Sequence, residues 1–538
     1  MKKHAVLAAA AAAVLGVAMA WGGAVAGTTT AQAATLRWAN DGDVNSMDPY
    51  ARQETFLLSF NGNIYEPLVG RDRNLKLAPA LATEWAQTSP TIWRFTLRQG
   101  VKFHDGTPFT ADDVVFSFDR VRMPGSNLGG NVATVESVRK IDDFTVEFET
   151  RGPDPILPDE ITNWYIMSKA WCEKNNAVRP ADLTKNEESY ATRNANGTGP
   201  FMLKSREPEV KTVLVKNPNW WGKPEHNLDE ADLTIIKNPL TRVAALLSGE
   251  IDMIYNTPPE SFDKIKQTKG LRLTETPELR TIYLGMDVNR DELVESSVKG
   301  KNPFKDKRVR QAFFQAIDEK AIAAKVMRGY ARPTGLLIGP GVKGFDESLN
   351  GRAAPHDPAA AKKLLAEAGY PDGFEVGFDC PNDRYVNDEA ICQAVVAMLA
   401  RIGVKADLLA QTRAKFFAKV NEPRYETSFY LIGWTPATYD AHNALIALTA
   451  TRNREKGAGI NNNGGISNPD LDALIDRIQV ETDQAKRNKL IADALTILKE
   501  EYLVLPLHQQ VVVWAARDTV DLAQGGDNYF PLKYVTMK

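Results

Sequence analysis

The sequence predicts a mixed α/β fold that is divided into more than one domain. Three features support this prediction: strands of period two in the first half, strands alternating with helices in the second half, and the length of the chain. The chain has 538 residues, of which the first 33 form a separate N-terminal segment. Chains longer than about 250–300 residues usually divide into several domains. The apolar fraction of 43% is sufficient for several cores.

The first 33 residues have the composition of a secretory signal peptide. Lys2 and Lys3 precede an uncharged, Ala-rich stretch at residues 5–27, and an Ala-Gln-Ala motif ends at Ala33. A membrane anchor is the alternative, because the stretch is long enough to cross a bilayer. It is rich in Ala and Gly and poor in Leu and Ile, which favours cleavage. We therefore expect a mature chain that begins at Ala34 in the periplasm of a Gram-negative cell.

Charge and motif content argue against several classes of function. The 65 basic and 68 acidic residues give a formal net charge of −3, whereas nucleic-acid-binding proteins carry a basic face, so we expect no nucleic-acid partner. The sequence contains no Gly-x-Ser-x-Gly, His-Glu-x-x-His or Walker motif, and its six His lack metal-ligand spacing. We expect no catalytic residue, no cofactor and no metal site. A secreted hydrolase with dispersed carboxylates is a minor alternative.

The first half begins with strands and turns. Residues 93–97 alternate apolar and polar side chains, which predicts a strand with one buried face. A second strand is expected at residues 101–103, followed by turn-forming residues at 104–108. Thr110 precedes two acids and an apolar run, a pattern typical of a helix start. His104 and its neighbouring Asp are interpreted as turn residues rather than as a catalytic pair.

The second half predicts parallel βαβ units. Asp357 precedes a proline at a predicted helix start, and Gly369 ends that helix. A polar connection at residues 289–306 separates this half from the first. Strands alternating with helices favour a parallel sheet that helices cover. The predicted strands are residues 374–378, 404–409 and 428–432, and the predicted helices are residues 388–402 and 413–420.

A binding crevice is expected where the first and third of these strands end. The carboxyl ends of parallel strands meet at one edge of a sheet, so the loops that follow them should face the same crevice. Arg384 offers a planar fork for a carboxylate, and Tyr385 and Trp434 offer flat apolar walls with one polar atom each. Thr438 lies in the second loop, and the helix after the first loop adds unpaired amides. Together these groups predict a clamp for an anionic or zwitterionic solute.

The three Cys allow at most one intramolecular disulfide. Cys380 and Cys392 are the plausible pair, one at a strand end and one on the following helix, which leaves Cys172 over. The alternative is that all three are buried thiols, because spacing alone does not establish the geometry of a disulfide.

Residues 65–120 carry the most specific pattern in the chain. They read YEPLVGRDRNLKLAPALATEWAQTSPTIWRFTLRQGVKFHDGTPFTADDVVFSFDR and resemble the characteristic segment of the extracellular solute-binding proteins of family 5. These are the peptide, nickel and oligosaccharide receptors of bacterial ABC importers. GTGPF at residues 197–201 and NPNWW at residues 217–221 also match landmarks of the family. The resemblance implies a two-lobed periplasmic binding protein of class II type, similar to cluster C, with an extra α+β domain in the large lobe.

The resemblance also implies a function, partners and a domain division. The protein would capture a di- or oligopeptide, or a peptide-like compound, between two lobes by hinge closure and deliver it to the membrane subunits of an ABC permease. A solute without a free amine, such as an opine, a glycoside or a metal chelate, is the alternative. We expect a monomer. The implied divisions are lobe I at residues 34–75, 197–290 and 505–538, the extra domain at residues 76–196, and lobe II at residues 291–504.

The match to the dipeptide receptors of the family is partial in the ligand site. In those receptors an Arg and a nearby Tyr contact the ligand carboxylate, and Arg384 and Tyr385 fall on that pattern. A Gly-Trp motif is followed, three residues after the Trp, by an Asp that holds the peptide amino group. The Gly-Trp pair is present here, but Ala437 stands at the Asp position. Either Asp440 substitutes for it or the solute lacks an amine there. A turn or helix-capping role for Asp440 is equally open.

An N-terminal motif supplies two further candidates. Residues 45–49, NSMDP, are similar to a landmark on the opposite lobe whose loops line the cleft in the family. This implies that Ser46 or Met47 lies near the ligand. The same residues are equally well explained as a turn.

Overall fold

The computed structural model describes residues 34–421, 423–454 and 456–538. The predicted signal peptide lies outside the described residues. Within the described part of the chain, no helix has the length and apolar content needed to cross a membrane.

The described elements are mixed α and β, as predicted. The strands are β1 (Thr35–Asn40), β2 (Val69–Arg71), β3 (Leu77–Pro79), β4 (Ala82–Ser89), β5 (Ile92–Leu97), β6 (Val135–Asp142), β7 (Thr145–Thr150), β8 (Phe201–Glu207), β9 (Lys211–Lys216), β10 (Glu230–Ile235), β11 (Met253–Ile254), β12 (Leu271–Met286), β13 (Ala331–Pro333), β14 (Glu375–Pro381), β15 (Lys405–Gln411), β16 (Phe429–Trp434), β17 (Val504–Arg517), β18 (Val520–Asp521) and β19 (Thr536–Met537). The helices are α1 (Thr55–Asn61), α2 (Ala111–Val121), α3 (Leu157–Glu160), α4 (Lys169–Lys174), α5 (Tyr190–Arg193), α6 (Pro239–Ser248), α7 (Phe262–Gln267), α8 (Lys307–Ala316), α9 (Glu319–Ala321), α10 (Pro358–Glu367), α11 (Asp388–Ala400), α12 (Arg413–Val420), α13 (Ala441–Leu448), α14 (Pro469–Val480) and α15 (Gln484–Glu500).

One large sheet contains most of these strands. Its order is β15-β14-β16-β12-β17-β11-β1-β10-β9-β8, with β13 paired to β17. β14 pairs in parallel with both β15 and β16, which confirms the predicted βαβ units. β14 and β16 end at Pro381 and Trp434, two or three residues later than predicted. The loops that begin the candidate site are correspondingly shorter than expected.

Two long strands connect the apolar cores. One core cluster takes its members from residues 279–507, and the other from residues 36–255 and 512–535. β12 and β17 pair antiparallel along most of their length, and their register shifts between Pro277 and Thr281. β17 contributes to both clusters, whereas β12 contributes to the first and, through Leu271, to a third, small cluster. The domain boundaries given above stay a prediction, because apolar clusters do not define where a lobe begins.

The first half contains a separate antiparallel sheet, β4-β5-β7-β6. β5 confirms the predicted strand at residues 93–97, and α2 begins after Thr110, whose N–H donates to Asp113 at 2.9 Å. The strand predicted at residues 101–103 is wrong: only an isolated bridge from Lys102 forms. The turn that follows closes too early for a ladder, since the N–H of Phe103 already donates to the carbonyl of Thr107.

The GTGPF segment and His104 have structural roles. A Cβ on the first glycine, Gly197, would lie 2.0 Å from the carbonyl oxygen of Ile64, and one on Gly199 would lie 2.7 Å from the same atom. Close backbone packing therefore explains both glycines. The His104 ring contacts the Gly199 carbonyl at 3.0 Å, and burial lowers its pKa to about 4. The interpretation of His104 as a turn residue fits these contacts.

Candidate functional site

The two loops that the sequence places at one sheet edge are in contact. β14 and β16 are parallel neighbours, so the loop at residues 382–387 and the loop at residues 435–440 leave the sheet at the same edge. The hydroxyl of Tyr385 donates to the carbonyl of Gly433 at 3.2 Å. A Cβ on Gly433 would lie 3.0 Å from the Tyr385 ring. The predicted proximity of these loops is confirmed, and their part in ligand binding is a proposal.

The first loop is fixed at both of its ends. Cys380, inside β14, forms a disulfide with Cys392 on α11, which confirms the predicted pair, while Cys172 is a buried free thiol. The carboxylate of Asp388 accepts the N–H groups of Arg384 and Tyr385, each at 3.0 Å. At the helix start, where the sequence predicts free amides, the first two are also occupied: the N–H of Asp388 donates to the carbonyl of Tyr385 at 3.3 Å, and that of Glu389 to the Asp388 carboxylate at 3.0 Å. The loop offers a ligand its side chains rather than its backbone.

Arg384 presents an unpaired guanidinium. Its side chain is exposed, stacks over the ring of Tyr385 at 5.1 Å, and forms no ion pair or side-chain hydrogen bond with the described residues. Desolvation, and then the charge of Arg280, lower the pKa of Arg384. The guanidinium is therefore accessible to solvent and has no carboxylate of the described residues beside it. Its planar fork can bind a carboxylate through two parallel hydrogen bonds.

Sequence reasoning missed two charged residues beside Arg384. The Nη1 of Arg280 contacts the two carboxylate oxygens of Glu278 at 2.8 and 3.1 Å, and the Arg280 guanidinium lies 5.8 Å from the centre of the Tyr385 ring. Both residues come from the part of β12 where its register against β17 shifts. The available signal was a charged pair, Glu-Leu-Arg, directly before the apolar end of the strand, where buried charges are unusual.

Trp434 is held in a fixed orientation. Its indole Nε1 donates to Oδ1 of Asn443 at 3.1 Å, and the same oxygen accepts the N–H of Ala437 at 3.2 Å. The ring is half-buried and packs against the core. In the same loop, the hydroxyls of Thr435 and Thr438 are buried and have no partner among the described residues. A ligand amide or carbonyl would satisfy these hydroxyls, whose burial is otherwise uncompensated.

Asp440 has no oxygen free for a ligand. The side chain is fully buried, and its carboxylate forms a two-pronged ion pair with the buried Arg487 at 2.6 and 2.8 Å. One oxygen also accepts the N–H of His442 and so caps α13. Of the two roles that the sequence left open, the helix-capping role is the one this geometry supports.

Ser46 and Met47 lie in the interior of the first half. Both are fully buried. The Ser46 hydroxyl accepts the N–H of Asp48, whose carboxylate pairs with the buried guanidinium of Arg120 at 2.6 and 3.0 Å. These contacts fit the alternative of a structural turn. Neither side chain is near Arg384 or Trp434 in any contact that the structure shows.

The second loop is also bound from the first half of the chain. Arg71 donates to the carbonyl of Thr438 and to Asp159, both at 3.1 Å, and stacks on Tyr439 at 4.1 Å. Tyr439 has a left-handed backbone, φ 55°, which is unfavourable for an aromatic residue, and its hydroxyl donates to Asp527 at 3.0 Å. The contacts of Arg71 and Asp527 keep this strained loop in place between the two halves.

Two cavities lie outside the contact between the loops. One, of about 140 Å³, touches the second loop at Tyr439 and is otherwise lined by the first half and the C-terminal segment. The other, of about 450 Å³, lies on the small sheet at β4 and β5. Neither is lined by Arg384 or Trp434. We place the candidate site at the loops rather than in either cavity. The unpaired guanidinium and the unsatisfied hydroxyls there are groups that a ligand would bind, whereas the volume of a cavity does not identify a ligand.

The arrangement is suited to binding. Among the described residues, no group of three or more His, Cys, Asp or Glu side chains is placed to hold a metal ion. His442, the His nearest the loops in sequence, is buried, and desolvation lowers its pKa to about 4. The site combines cationic, aromatic and hydroxyl groups, a set of groups suited to a small acid.

Comparison with known proteins agrees with this description. A family model described as "Bacterial extracellular solute-binding proteins, family 5 Middle" matches residues 76–456. The chain is 27% identical over 482 residues to the glutathione-binding protein GsiB of Pectobacterium atrosepticum, covering 87% of this chain and 88% of that protein.

Two solved structures show the same fold. The periplasmic binding protein DppA from Helicobacter pylori, in complex with the peptide STSA, has a TM-score of 0.76 at 22% identity and covers 94% of this chain and 98% of its own. The binding protein AgaA from A. tumefaciens R10, in complex with agropinic acid, has a TM-score of 0.75 at 23% identity, covering 94% and 99%. The predicted two-lobed α/β fold is confirmed.

Proposed function

Because the chain belongs to family 5 of the bacterial extracellular solute-binding proteins, we propose that its loops at Arg384 and Trp434 capture a small peptide-like acid for an ABC importer. Members of this family are solute-binding proteins, and the chain matches their model over more than half its length. The proposal adds the place of binding and the chemistry of the solute. It also places the mature protein in the periplasm as a monomer, after removal of residues 1–33.

The unpaired guanidinium of Arg384 is the observation that carries the proposal. An accessible arginine that no carboxylate of the described residues occupies keeps its planar fork available for the carboxylate of a ligand. Tyr385 and Trp434 supply apolar walls beside it, and both are fixed through their polar atoms. The unsatisfied hydroxyls of Thr435 and Thr438 supply partners for the amide groups of a peptide-like solute.

The contacts of the second loop support the proposed closure of the two halves on the solute. From the first half, Arg71 donates to the carbonyl of Thr438 in this loop. Asp159, also from the first half, accepts a hydrogen bond from Lys343 at 2.6 Å. These bonds form only when the halves are together, so they stabilise a closed state around a bound solute. Their separation would return the loop to solvent and release the solute to the permease.

The nature of the relatives' ligands supports a peptide-like acid. The curated relative is named for glutathione, a modified tripeptide, and the DppA structure contains a peptide. A solute without a free amine is the second candidate, and a specific observation favours it. Ala437 stands where dipeptide receptors have an Asp, and Asp440 is paired with Arg487. The AgaA structure contains agropinic acid, which illustrates that this fold accepts non-peptide acids.

Native mass spectrometry of the mature protein, purified without added ligand, tests the proposal. We expect a small acid to co-purify in a one-to-one complex, to be released by denaturant, and to rebind with its mass unchanged. Conversion of the released compound by fresh protein would instead support the hydrolase alternative. Absence of any bound or rebinding small molecule from a cell extract would contradict the proposal.

A further inference from the structure

We propose that Arg280 is a second anion-binding group of the same site, so that the natural solute carries two carboxylates and needs no free amine. This inference rests on the proposed function and specifies the substrate class. It begins from the ion pair of Arg280 with Glu278, which the family resemblance did not predict.

The strand register brings Arg280 to the candidate site. β12 pairs antiparallel with β16, and Thr281 lies opposite Trp434. The residue before Thr281 is therefore at the edge of the sheet where the second loop begins. A Cβ on Gly433 would lie 2.9 Å from Cδ of Arg280, so the side chain of Arg280 passes directly over that glycine. Gly433 leaves the space that this approach requires.

Arg280 and Arg384 border one aromatic ring. Their guanidinium carbons lie 5.8 and 5.1 Å from the centre of the Tyr385 ring. A compact solute resting on Tyr385 would reach both groups with carboxylates on a short chain. Two guanidiniums at these distances from one ring centre are therefore within reach of the two carboxylates of one small diacid.

The protein supplies too few carboxylates for these guanidiniums. The charges of Arg280 and Arg413 lower the pKa of Arg384, whereas Tyr385 and Glu278 raise it, and Glu278 is the carboxylate among these four groups. Glu278 contacts Arg280 through Nη1 alone, and the other nitrogens of Arg280 form no hydrogen bond with the described residues. The cluster therefore has an excess of positive charge and free N–H donors, which a ligand with two carboxylates would complete.

Glu278 behaves as an internal competitor for the ligand. Its side chain is buried, and both of its oxygens contact Nη1 of Arg280. Replacing it with a neutral amide removes the competing charge without changing the shape of the side chain. If Arg280 binds the solute, this replacement strengthens binding, whereas a purely structural ion pair would give no such gain.

The second loop offers no free carboxylate for an ammonium group of a ligand. The acidic residue of this loop is Asp440, and Arg487 binds both of its carboxylate oxygens. Ala437 cannot compensate an ammonium group. A solute with a buried free amine would leave that charge unpaired, at a cost that lowers affinity many-fold. The charge pattern thus favours two acids over an acid and an amine.

Matched probes test the inference. We would titrate the ligand-free mature protein with glutathione, its glycine ethyl ester and its N-acetyl derivative, which differ in one charge each. The wild type is expected to bind glutathione about 10- to 100-fold more tightly than the ester, and the N-acetyl derivative within about threefold of glutathione. Equal affinity for glutathione and the ester would overturn the inference. So would a loss of more than about tenfold on N-acetylation.

Three variants assign the effect to Arg280. Arg280→Gln should reduce the preference for the diacid to less than about threefold while keeping the affinity for the ester. Arg280→Gln combined with Glu278→Gln leaves no unpaired buried charge and keeps the test valid if the single variant unfolds. Glu278→Gln alone should raise the affinity for glutathione about 3- to 10-fold. Unchanged preference in the double variant, or weaker binding in Glu278→Gln, would exclude Arg280 as a ligand group.

The same titrations separate the two proposals. If the wild type binds the diacid and its ester equally, and Arg384→Gln abolishes both, the proposed function stands and the second anion site does not exist. If folded wild type binds none of the probes, the peptide-like diacid class is wrong, and the native complex described above decides whether the receptor function also fails.

Discussion

The carboxylate of Asp440 and the guanidinium of Arg487 form a two-pronged ion pair, at 2.6 and 2.8 Å, in a fully buried environment. Asp440 comes six residues after Trp434, in the loop where the sequence suggested a ligand carboxylate. The structure instead uses this acid to hold α15, through Arg487, against the start of α13. The loop is therefore anchored to the core of its own half.

Asp440→Ala tests this structural role. Removal of the carboxylate leaves the buried Arg487 unpaired, so we expect a loss of about 3–5 kcal/mol in the free energy of unfolding, measured by urea titration. Asp493→Ala, which removes an exposed pair with Lys489, is the matched control and should change stability by less than about 1 kcal/mol. If Asp440→Ala abolished ligand binding but left stability unchanged, Asp440 would be a ligand group after all.

The disulfide is expected to position the first loop. Replacing both Cys380 and Cys392 with Ser removes the link between β14 and α11, on either side of Arg384. We expect a loss of about 2–4 kcal/mol in stability and weaker ligand binding, because the loop must then be ordered on binding. Cys172→Ser, the control, alters a thiol outside this loop and should leave affinity unchanged. Full affinity in the double variant would show that Asp388 alone positions the loop.

Gly433 is expected to be intolerant of any side chain. A Cβ there would lie 2.7 Å from Ile282, 2.9 Å from Arg280 and 3.0 Å from Tyr385. Gly433→Ala should therefore displace the Arg280 and Tyr385 side chains and reduce affinity at least about tenfold, since small displacements at a site have large effects. Gly130→Ala meets no atom within 4 Å and serves as the control. Calorimetric titration that gave equal affinities for the two variants would refute the close packing.

Histidine burial predicts part of the acid sensitivity. His508 is fully buried, neither ring nitrogen has a partner among the described residues, and desolvation lowers its pKa to about 4. The unfolded chain takes up this proton near pH 6.5, so the folded state loses stability as the pH falls from 6.5 toward 4. Between pH 7 and pH 5, the free energy of unfolding of His508→Leu should fall by about 2 kcal/mol less than that of the wild type. Parallel urea titrations that gave equal losses would contradict the burial of a neutral ring.

Periodicity and turn residues predicted much of the fold. The alternation at residues 93–97 and the Asp357 cap gave β5 and α10 correctly, because these elements follow local rules of burial and capping. The prediction of a strand at residues 101–103 was wrong, because the backbone groups of this segment form hydrogen bonds within the tight turn that follows it. β14 continued past Phe378 because the parallel pairing with β15 extends to Pro381, and pairing between distant segments is not visible in a local pattern.

The candidate site was predictable only in part. Arg384, Tyr385 and Trp434 were found because strand ends in a parallel sheet mark a crevice. Arg280 was missed, since its position depends on the register of β12 against β16. Asp440 was given a ligand role as one alternative because its partner, Arg487, is distant in sequence, and the pairing of two buried charges depends on tertiary structure.

Calorimetric titration of Arg384→Ala is the most direct test of the binding site. The ligand-free wild type, Arg384→Ala and the exposed control Arg401→Ala would each be titrated with the solute recovered from the native complex. We predict a loss of about 2 kcal/mol or more in binding free energy for Arg384→Ala and a loss below about 1 kcal/mol for Arg401→Ala. Wild-type affinity in folded Arg384→Ala would contradict the account, because the unpaired guanidinium would then have no ligand to bind.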